Sequence, residues 1–143
     1  MARSKVTFNI NLAQDVAMKA AERGVRAATL EAQRILQVDV LSSDPARTGL
    51  EYSRGKTAVH RASAPGEAPA PDTGQLRASV QVEFERNDTV AVGKVVSNLD
   101  KAAKLELGTE KMAPRPFMSL LLSGVYAARI RAAFANGAFK GKR

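Results

Sequence analysis

His60 is the only histidine in the chain and the first residue to consider for catalysis or metal binding. A metal site of the usual type needs several Cys, His or carboxylate ligands, and the chain has no Cys and no second His. General-base catalysis by His60 would require the fold to bring an acid and a nucleophile to it. A polar residue on a strand, or at the base of a loop, is the simpler interpretation. A hydrolase or nuclease that uses His60 is therefore the least favoured function.

Glu83 and Glu85 are the second candidates for chemistry. Residues two apart on a strand share a face, so this pair could hold a divalent ion or act as an acid and a base. Val82 and Phe84 occupy the opposite face, which favours the solvent side of a half-buried hairpin instead. The sequence has no Gly-rich phosphate loop, no Gly-x-Ser-x-Gly elbow and no paired-His motif. We therefore predict no catalytic residue, no cofactor and no metal site.

The charge of the chain is concentrated at its C-terminal end. Residues 1–110 have 15 basic and 14 acidic residues, whereas residues 111–143 have seven basic residues and no acidic one, which together give +8. Such an end can contact nucleic acid, membrane phosphate or an acidic protein, or can simply aid solubility. Contacts with DNA phosphates, without sequence preference, are predicted for five basic residues: Arg129, Arg131, Lys140, Lys142 and Arg143.

The length and composition limit the possible classes of protein. A chain of 143 residues is sized for one domain with an ordinary core. The absence of Cys excludes a disulfide scaffold. No apolar run is long enough to cross a bilayer, and the first residues lack the apolar middle of a signal peptide. We therefore expect a soluble protein that is made in a cytoplasm and does not act at a membrane.

The N-terminal part predicts a strand followed by a long helix. Val6, Phe8 and Ile10 alternate with polar residues, which is the period of a strand with one buried face. From Leu12 to Val38 apolar residues, mostly Ala, recur every three or four positions. Gly24 lies in this stripe and could permit a bend. Because Ala buries little area, such a helix needs neighbours along its whole length.

The middle of the chain predicts an extended segment and a Pro-rich segment. Residues Glu51–Arg61 are interpreted as one extended segment, which Gly55 weakens. The Pro-rich segment, residues 62–74, has three prolines and two glycines. Prolines stiffen a chain without making it a core element. This composition fits an arm that lies over an adjacent surface and fits an ordinary surface loop equally well.

The remaining elements predict an α+β fold. They are a short helix at 75–79 capped by Asp72 or Thr73, a hairpin from Val80 to Val96 that turns at Asn87-Asp88, a helix from Leu99 to Leu107 stopped by Gly108, and a helix from Phe117 to about Phe134. The predicted fold is a mostly antiparallel sheet of about four strands, with the long N-terminal and the C-terminal helices on one face. One domain spans 1–135, and a basic tail spans 136–143.

Four short motifs carry a resemblance to a known family. They occur in the order Ser63-Ala-Pro-Gly66, Thr73-Gly74-Gln-Leu76-Arg77-Ala-Ser79, Glu106-Leu-Gly108-Thr109 and Arg115-Pro116-Phe117. In this order and spacing the chain resembles the small tail-component proteins, or neck and tail-completion proteins, of long-tailed phages of the Hong Kong type. The resemblance covers about half of the chain, residues 50–118.

The resemblance implies a structural virion protein of the head-tail connection or the upper end of the tail. Members form a ring around the DNA path, six-fold or twelve-fold, with no enzymatic site. The implied partners are further copies of the chain, the neighbouring neck, portal-adaptor and tail-tube proteins, and packaged DNA through non-specific contacts. The protein would be made in the host bacterial cytoplasm. A small basic nucleic-acid-binding protein that uses its C-terminal tail is the alternative.

Ring geometry suggests roles for the motif residues. An arm that reaches the neighbouring subunit would contain Ser63, Pro65, Gly66, Pro69 and Pro71. The residues of the structural motif would be Thr73, Gly74, Leu76, Glu106, Gly108, Thr109, Arg115, Pro116 and Phe117. Pro114 and Pro116 form a bend in the chain, which we call the elbow. We expect Arg115 to anchor this elbow by bonding a helix-end carbonyl or a carboxylate such as Glu106.

Overall fold

The computed structural model of the chain describes residues 10–42 and 46–140. These residues form helices and four β-strands. In chain order the elements are α1 Ile10–Arg34, a π-helix Ile35–Val40, β1 Glu51–Arg54, β2 Ala58–Arg61, α2 Gln75–Ala78, β3 Val80–Arg86, β4 Ala91–Ser97, α3 Asp100–Leu107, a 3₁₀-helix Ser119–Leu122 and α4 Gly124–Phe139.

The predicted α+β class is confirmed, with four strands and helices that pack against the sheet. The strands are divided between two antiparallel hairpins rather than joined in one sheet. In the described ranges β1 pairs with β2, and β3 pairs with β4. Helix α1 packs along α4 and against both β3 and β4, so the second hairpin belongs to the main body of the fold.

The long N-terminal helix is confirmed, and it is extended by a π-helical turn. The backbone N–H of Leu41 donates to the carbonyl of Leu36 at 2.8 Å, five residues back, which is the π-type spacing. Ile10, the last residue of the predicted first strand, begins α1 instead. The other residues of that predicted strand, 6–9, lie outside the described residues.

Two glycines allow α1 and α4 to approach closely. A Cβ on Gly24 would lie 2.8 Å from the Phe134 ring, and a Cβ on Gly137 would lie 2.6 Å from the Ala27 Cβ. Gly24, where the sequence allowed a bend, is therefore a helix contact position. This explains how an Ala-rich stripe can pack well, because small residues let the backbones come together.

The β3–β4 hairpin is confirmed, and the predicted alternation holds on β3, whereas on β4 Ala91, Gly93 and Val95 face inward and Val92 and Lys94 are exposed. Val80 is fully buried at the start of β3, and Asn87 forms the turn by accepting hydrogen bonds from the N–H groups of Thr89 and Val90 at 2.9 and 2.7 Å. Gly93 on β4 faces α1 so closely that a Cβ there would lie 1.9 Å from the Thr29 hydroxyl oxygen. The hairpin is therefore fixed against α1 by burial and close contact.

The prediction of one extended segment from Glu51 to Arg61 is wrong, because this region is a second hairpin. Tyr52 faces His60 in the register of β1 and β2. Gly55 has a φ of 74° in the turn between them, a left-handed conformation that Gly adopts without steric cost. Gly55 is therefore the sequence signal of this turn: it ends β1 and does not merely weaken a longer strand.

The predicted start of the C-terminal helix at Phe117 is also wrong. Phe117 lies in a loop, 1% exposed, and inserts into the core. After the 3₁₀-helix, Ser123 is extended, with φ −94° and ψ 141°, and therefore interrupts the helical path before α4. Helix α4 continues to Phe139, so residues 136–139 of the predicted tail are helical, and Ala138 is buried.

The short helix α2 forms at the predicted place but without the predicted cap. Gly74 occupies its N-cap position with a φ of 75°, and no side chain caps the helix. The Thr73 hydroxyl is at 3.5 Å from the Gln75 nitrogen, which is long for a hydrogen bond. Leu76 is half-buried and packs against the core, as predicted. Helix α3 is confirmed.

The core lies where the π-helical turn, β3, α3 and the elbow meet. Its buried apolar residues are Ile35, Leu36, Val40, Leu41, Val80, Ala102 and Phe117. Leu105, Met118, Leu120 and Leu121 pack around this cluster and are partly buried. The elbow residues that carry part of the family resemblance are therefore built onto the core.

Candidate assembly surface

Glu106 organises the elbow by accepting three backbone hydrogen bonds. The N–H groups of Phe117, Met118 and Ser119 lie 2.7, 2.9 and 2.9 Å from its carboxylate oxygens. Burial by itself would raise the pKa of the Glu106 carboxyl, but these donors, led by the Phe117 N–H, outweigh it and lower the pKa below its ordinary value. Glu106 thus holds the chain segment that delivers Phe117 to the core.

Gly108 ends α3, and the space around its Cα has no room for a side chain. Its φ is 77°, and a Cβ would lie 2.8 Å from the Met112 carbonyl and 2.9 Å from the Pro114 ring. The next residue, Thr109, pairs with Met112 in an isolated antiparallel bridge, in which the Thr109 N–H donates at 2.8 Å. This short turn reverses the chain and brings the Arg115-Pro116-Phe117 motif back beside α3.

Arg115 joins the elbow to the Pro-rich segment. Its Nε and Nη2 both donate to the carbonyl of Ser63 at 3.2 Å, and its backbone N–H donates to the carbonyl of Leu105 at 2.7 Å. The expectation of a carbonyl acceptor for its side chain is met, but the carbonyl belongs to the Pro-rich segment and not to a helix end. Glu106, the suggested carboxylate partner, binds backbone N–H groups instead. Pro116 is half-buried between these contacts.

The Pro-rich segment lies on its own chain in the structure. Ser63 and Pro69 are buried, and the Gly66 N–H donates to the carbonyl of Pro114 at 3.0 Å. Pro65 and Pro71 are exposed. In the single chain the Pro-rich segment is therefore a loop that packs on its own subunit. The contact of this segment with a neighbouring subunit stays a prediction. The exposed Pro65 and Pro71 are the residues of the segment that are available for it.

Arg47, for which the sequence carries no prediction, holds the Pro-rich segment to the end of the π-helix. It is 8% exposed, and its Nη2 donates to the carbonyls of Val40 and Pro69 at 2.8 and 3.2 Å. A buried arginine is stabilised when carbonyl oxygens accept its N–H groups. Arg47 therefore links the C-terminal end of the π-helix to the Pro-rich segment.

Glu67 is a second fastening residue that the sequence did not identify. Its carboxylate accepts from the N–H of Ala64 at 2.8 Å and from the hydroxyl and N–H of Thr48 at 2.5 and 3.1 Å. These donors, led by the Thr48 hydroxyl, lower the pKa of Glu67 from 4.5 to about 2. The available signal was an acidic residue inside a Pro-rich run. Such a residue can accept hydrogen bonds from a backbone that lacks regular partners.

A cleft of about 320 Å³ separates the β1–β2 hairpin from the Pro-rich segment. Tyr52 and His60 line it, with ring centroids 5.1 Å apart. Thr73, Gly74 and Arg115 also contribute to the lining. His60 is half-buried beside an aromatic ring, and no carboxylate, serine or cysteine is hydrogen-bonded to it in the described residues. This arrangement resembles a packing contact more closely than a nucleophilic triad.

The predicted basic residues have different surroundings. Arg129 donates to Glu31 at 2.7 Å and to Asp39 at 2.5 Å, so it ties α4 to α1. Arg131 and Lys140 are exposed. Lys142 and Arg143 lie outside the described residues. Because its charge is matched by two carboxylates, Arg129 is less suited to a phosphate contact than the sequence predicted.

The carboxylate pair on β3 lies on an exposed face of the second hairpin, as the simpler interpretation predicts. Glu83 and Glu85 are both exposed, and Glu85 forms an ion pair with Lys94 across the hairpin. Within residues 10–42 and 46–140 no group of three or more His, Cys, Asp or Glu side chains is placed to hold a metal ion. In the same ranges no helix has the length and apolar character needed to span a membrane.

Comparisons with protein-family models, with curated proteins and with solved structures gave no match for this chain. The family resemblance therefore depends on the four motifs and on how the structure uses them.

Proposed function

We propose that this chain is a structural subunit of the head-tail connection of a long-tailed phage, acting as a neck, tail-completion or tail-terminator component. Copies of the subunit form a ring around the DNA path, six-fold or twelve-fold, and join the head to the tail. In this role the chain has no catalytic centre, and its partners are its own copies and the neighbouring neck, portal-adaptor and tail-tube proteins.

The observation that carries the proposal is the joint built by the motif residues. Glu106 and Gly108 come from one motif and Arg115 and Phe117 from another, yet all four hold one elbow against the core and the Pro-rich segment. Each of them contacts backbone groups or the core, and none forms a reactive pair. Residues used in this way fix the shape of a surface, which is the requirement for a subunit that tiles around a channel.

A deletion of the gene in the phage tests the proposal directly. We expect full heads and separate tails in electron micrographs of the lysate, and restored infectious particles when the wild-type chain is supplied from a plasmid. The Phe139→Ser variant is a suitable control because Phe139 is exposed and lies outside the elbow. Infectious particles without the chain would overturn the proposal, and so would turnover of a substrate by the purified protein.

A nucleic-acid-binding protein is the second candidate, supported by the exposed side chains of Arg131 and Lys140. A salt titration of DNA binding separates the two functions. Binding that depends steeply on salt and weakens after Arg131→Gln and Lys140→Gln favours the second function, because each phosphate contact releases counterions. Negligible binding at physiological salt favours the structural role.

A further inference from the structure

The β1–β2 hairpin is an unusual element because little of it is buried. Each strand has four residues, and in the described chain the two strands pair only with each other. Leu50 and Val59 are 84% and 68% exposed. A lone two-stranded hairpin is marginally stable in water, and exposed strand edges readily pair with other chains. Both properties indicate a surface that is covered in an assembly.

The two faces of this hairpin have different environments. Tyr52 and His60 form a cross-strand pair and line the cleft that faces the Pro-rich segment. Val59 is adjacent to His60 along β2, so its side chain points to the opposite face. The Val59 face is therefore directed away from the contacts that the hairpin makes with its own chain.

An apolar groove on another part of the molecule offers a matching surface. It has a volume of about 470 Å³ and lies between β4 and α3. Leu107, which is 76% exposed, forms part of its lining. The other apolar residues that line it are Val95, Val96, Ala102, Ala103, Phe117 and Met118. No residue of the β1–β2 hairpin contributes to this groove.

The charges beside the two surfaces are complementary. On the Val59 face of the hairpin, Glu51 and Arg61 are register partners and form an ion pair, so Lys56 in the turn leaves a formal charge of +1 beside this face. Next to the groove, the face of β3–β4 that contains Val96 also contains Glu83, Glu85 and Lys94, which gives −1. Opposite charges around an apolar contact favour one orientation of binding.

We propose that the Val59 face of the β1–β2 hairpin docks into the β4–α3 groove of a second copy of this chain. The two surfaces differ, so the contact is heterologous: each subunit offers its hairpin to one neighbour and its groove to the other. Such contacts propagate from subunit to subunit and close into a ring when the rotation allows. The inference therefore deepens the proposed function and rests on it.

Disulfide cross-linking tests this contact cleanly because the chain has no Cys of its own. A chain with both Val59→Cys and Leu107→Cys should give a ladder of linked oligomers after oxidation. A mixture of the two single variants should stop at linked dimers, because each chain then has one thiol. The control pairs Val59→Cys with Leu122→Cys, since Leu122 is 84% exposed but does not line the groove. It should give no ladder.

Charged substitutions test the contact without oxidation. Val59→Asp and Leu107→Asp should each weaken self-association by about 100-fold, because each places an unpaired charge in the apolar contact. A mixture of the two should form dimers, since a mixed pair brings together the intact hairpin of the Leu107→Asp chain and the intact groove of the Val59→Asp chain. Both positions are exposed, so the thermal unfolding midpoint should stay within about 2 °C of the wild type.

The outcomes distinguish this contact from the proposed function. A wild-type chain that sedimentation shows to be oligomeric, but that links no faster through Val59 and Leu107 than through the Leu122 control, overturns the docking and leaves the ring proposal standing. A chain that stays monomeric at all concentrations and is dispensable for infectious particles overturns both. Failure of the mixed Asp variants to dimerise also contradicts the heterologous contact.

Discussion

Two regions of this molecule are held in different ways. The β3–β4 hairpin is fixed to α1 by apolar burial and by a glycine contact, with Val80 in the core and Gly93 against Thr29. The elbow places Phe117 in the core, but the elbow and the Pro-rich segment are held in addition by carboxylates and arginines that bind backbone groups, namely Glu106, Glu67, Arg47 and Arg115. Burial hardly depends on pH, whereas carboxylate hydrogen bonds are lost in acid. The β3–β4 hairpin and the elbow with the Pro-rich segment should therefore respond differently to mutation and to pH.

The strongest effect should come from filling the space at Gly93. Gly93→Val would place a side chain where a Cβ already lies 1.9 Å from the Thr29 hydroxyl oxygen. We expect the free energy of unfolding to fall by about 3 kcal/mol, measured by urea denaturation at pH 7. Gly66→Val is the contrasting variant in the Pro-rich segment, where no atom lies within 4 Å of a Cβ. It should cost only about 1–2 kcal/mol, through its positive φ. A larger loss at Gly66 would contradict the comparison.

A matched pair of valines sharpens the contrast between the two hairpins. Val80→Ala removes buried methyl groups in β3 and should lower the free energy of unfolding by about 2–3 kcal/mol. Val59→Ala removes the same atoms from an exposed position in β2 and should change it by less than about 0.5 kcal/mol in the monomer. Equal losses of unfolding free energy in urea titrations of the monomer would contradict the exposed position of Val59.

Glu106→Gln tests the hydrogen bonds that hold the elbow. The amide keeps the shape of the side chain but removes the charge that accepts three backbone N–H groups, so the unfolding free energy should fall by about 1–2 kcal/mol at pH 7. Glu110→Gln is the control, because Glu110 is an exposed glutamate in the turn that follows α3. The difference between the variant and the wild type should shrink as the pH falls below 4.5, the ordinary pKa of this carboxyl, and should vanish once the carboxyl of the folded state is also protonated. A loss that persists unchanged at acid pH would point to packing instead.

The effect that depends most on pH should come from Glu67. Its pKa falls from 4.5 to about 2 on folding, so the folded state releases the proton more readily than the unfolded state. The stability that Glu67 contributes is therefore present above pH 4.5, declines as the pH falls and is gone below pH 2. Glu67→Gln should flatten the pH dependence of the urea midpoint in this window. An unaltered slope would remove Glu67 from the fastening of the Pro-rich segment.

The elements with strong periodicity could be predicted from the sequence. The long α1, the β3–β4 hairpin and α3 with its stop at Gly108 follow from local patterns, and the structure confirms them. The first hairpin does not follow from the sequence, because four-residue strands show little alternation and a glycine such as Gly55 can weaken a strand as well as end it. The break at Ser123 was missed because apolar spacing continues through it, and only the backbone conformation shows the interruption.

The candidate site could be predicted in its motifs but not in its contacts. Arg115 was recognised as an anchor, yet its acceptor, the Ser63 carbonyl, lies 52 positions away. Arg47 and Glu67 were not identified at all. Their roles come from backbone groups that only the folded chain brings near them, and a local pattern does not contain that information.

The contact between α1 and α4 has a consequence for exchange kinetics. Arg23 donates to the carbonyl of Ala138, and Gly24 receives Phe134, so α4 ends beside the middle of α1. The side chains of residues 13–17 are exposed, which leaves the first turns of α1 without the cover that its later turns have. Amide protons in those turns should exchange with deuterium far sooner than those near Ile35, so that one continuous helix has a gradient of lifetimes along its length.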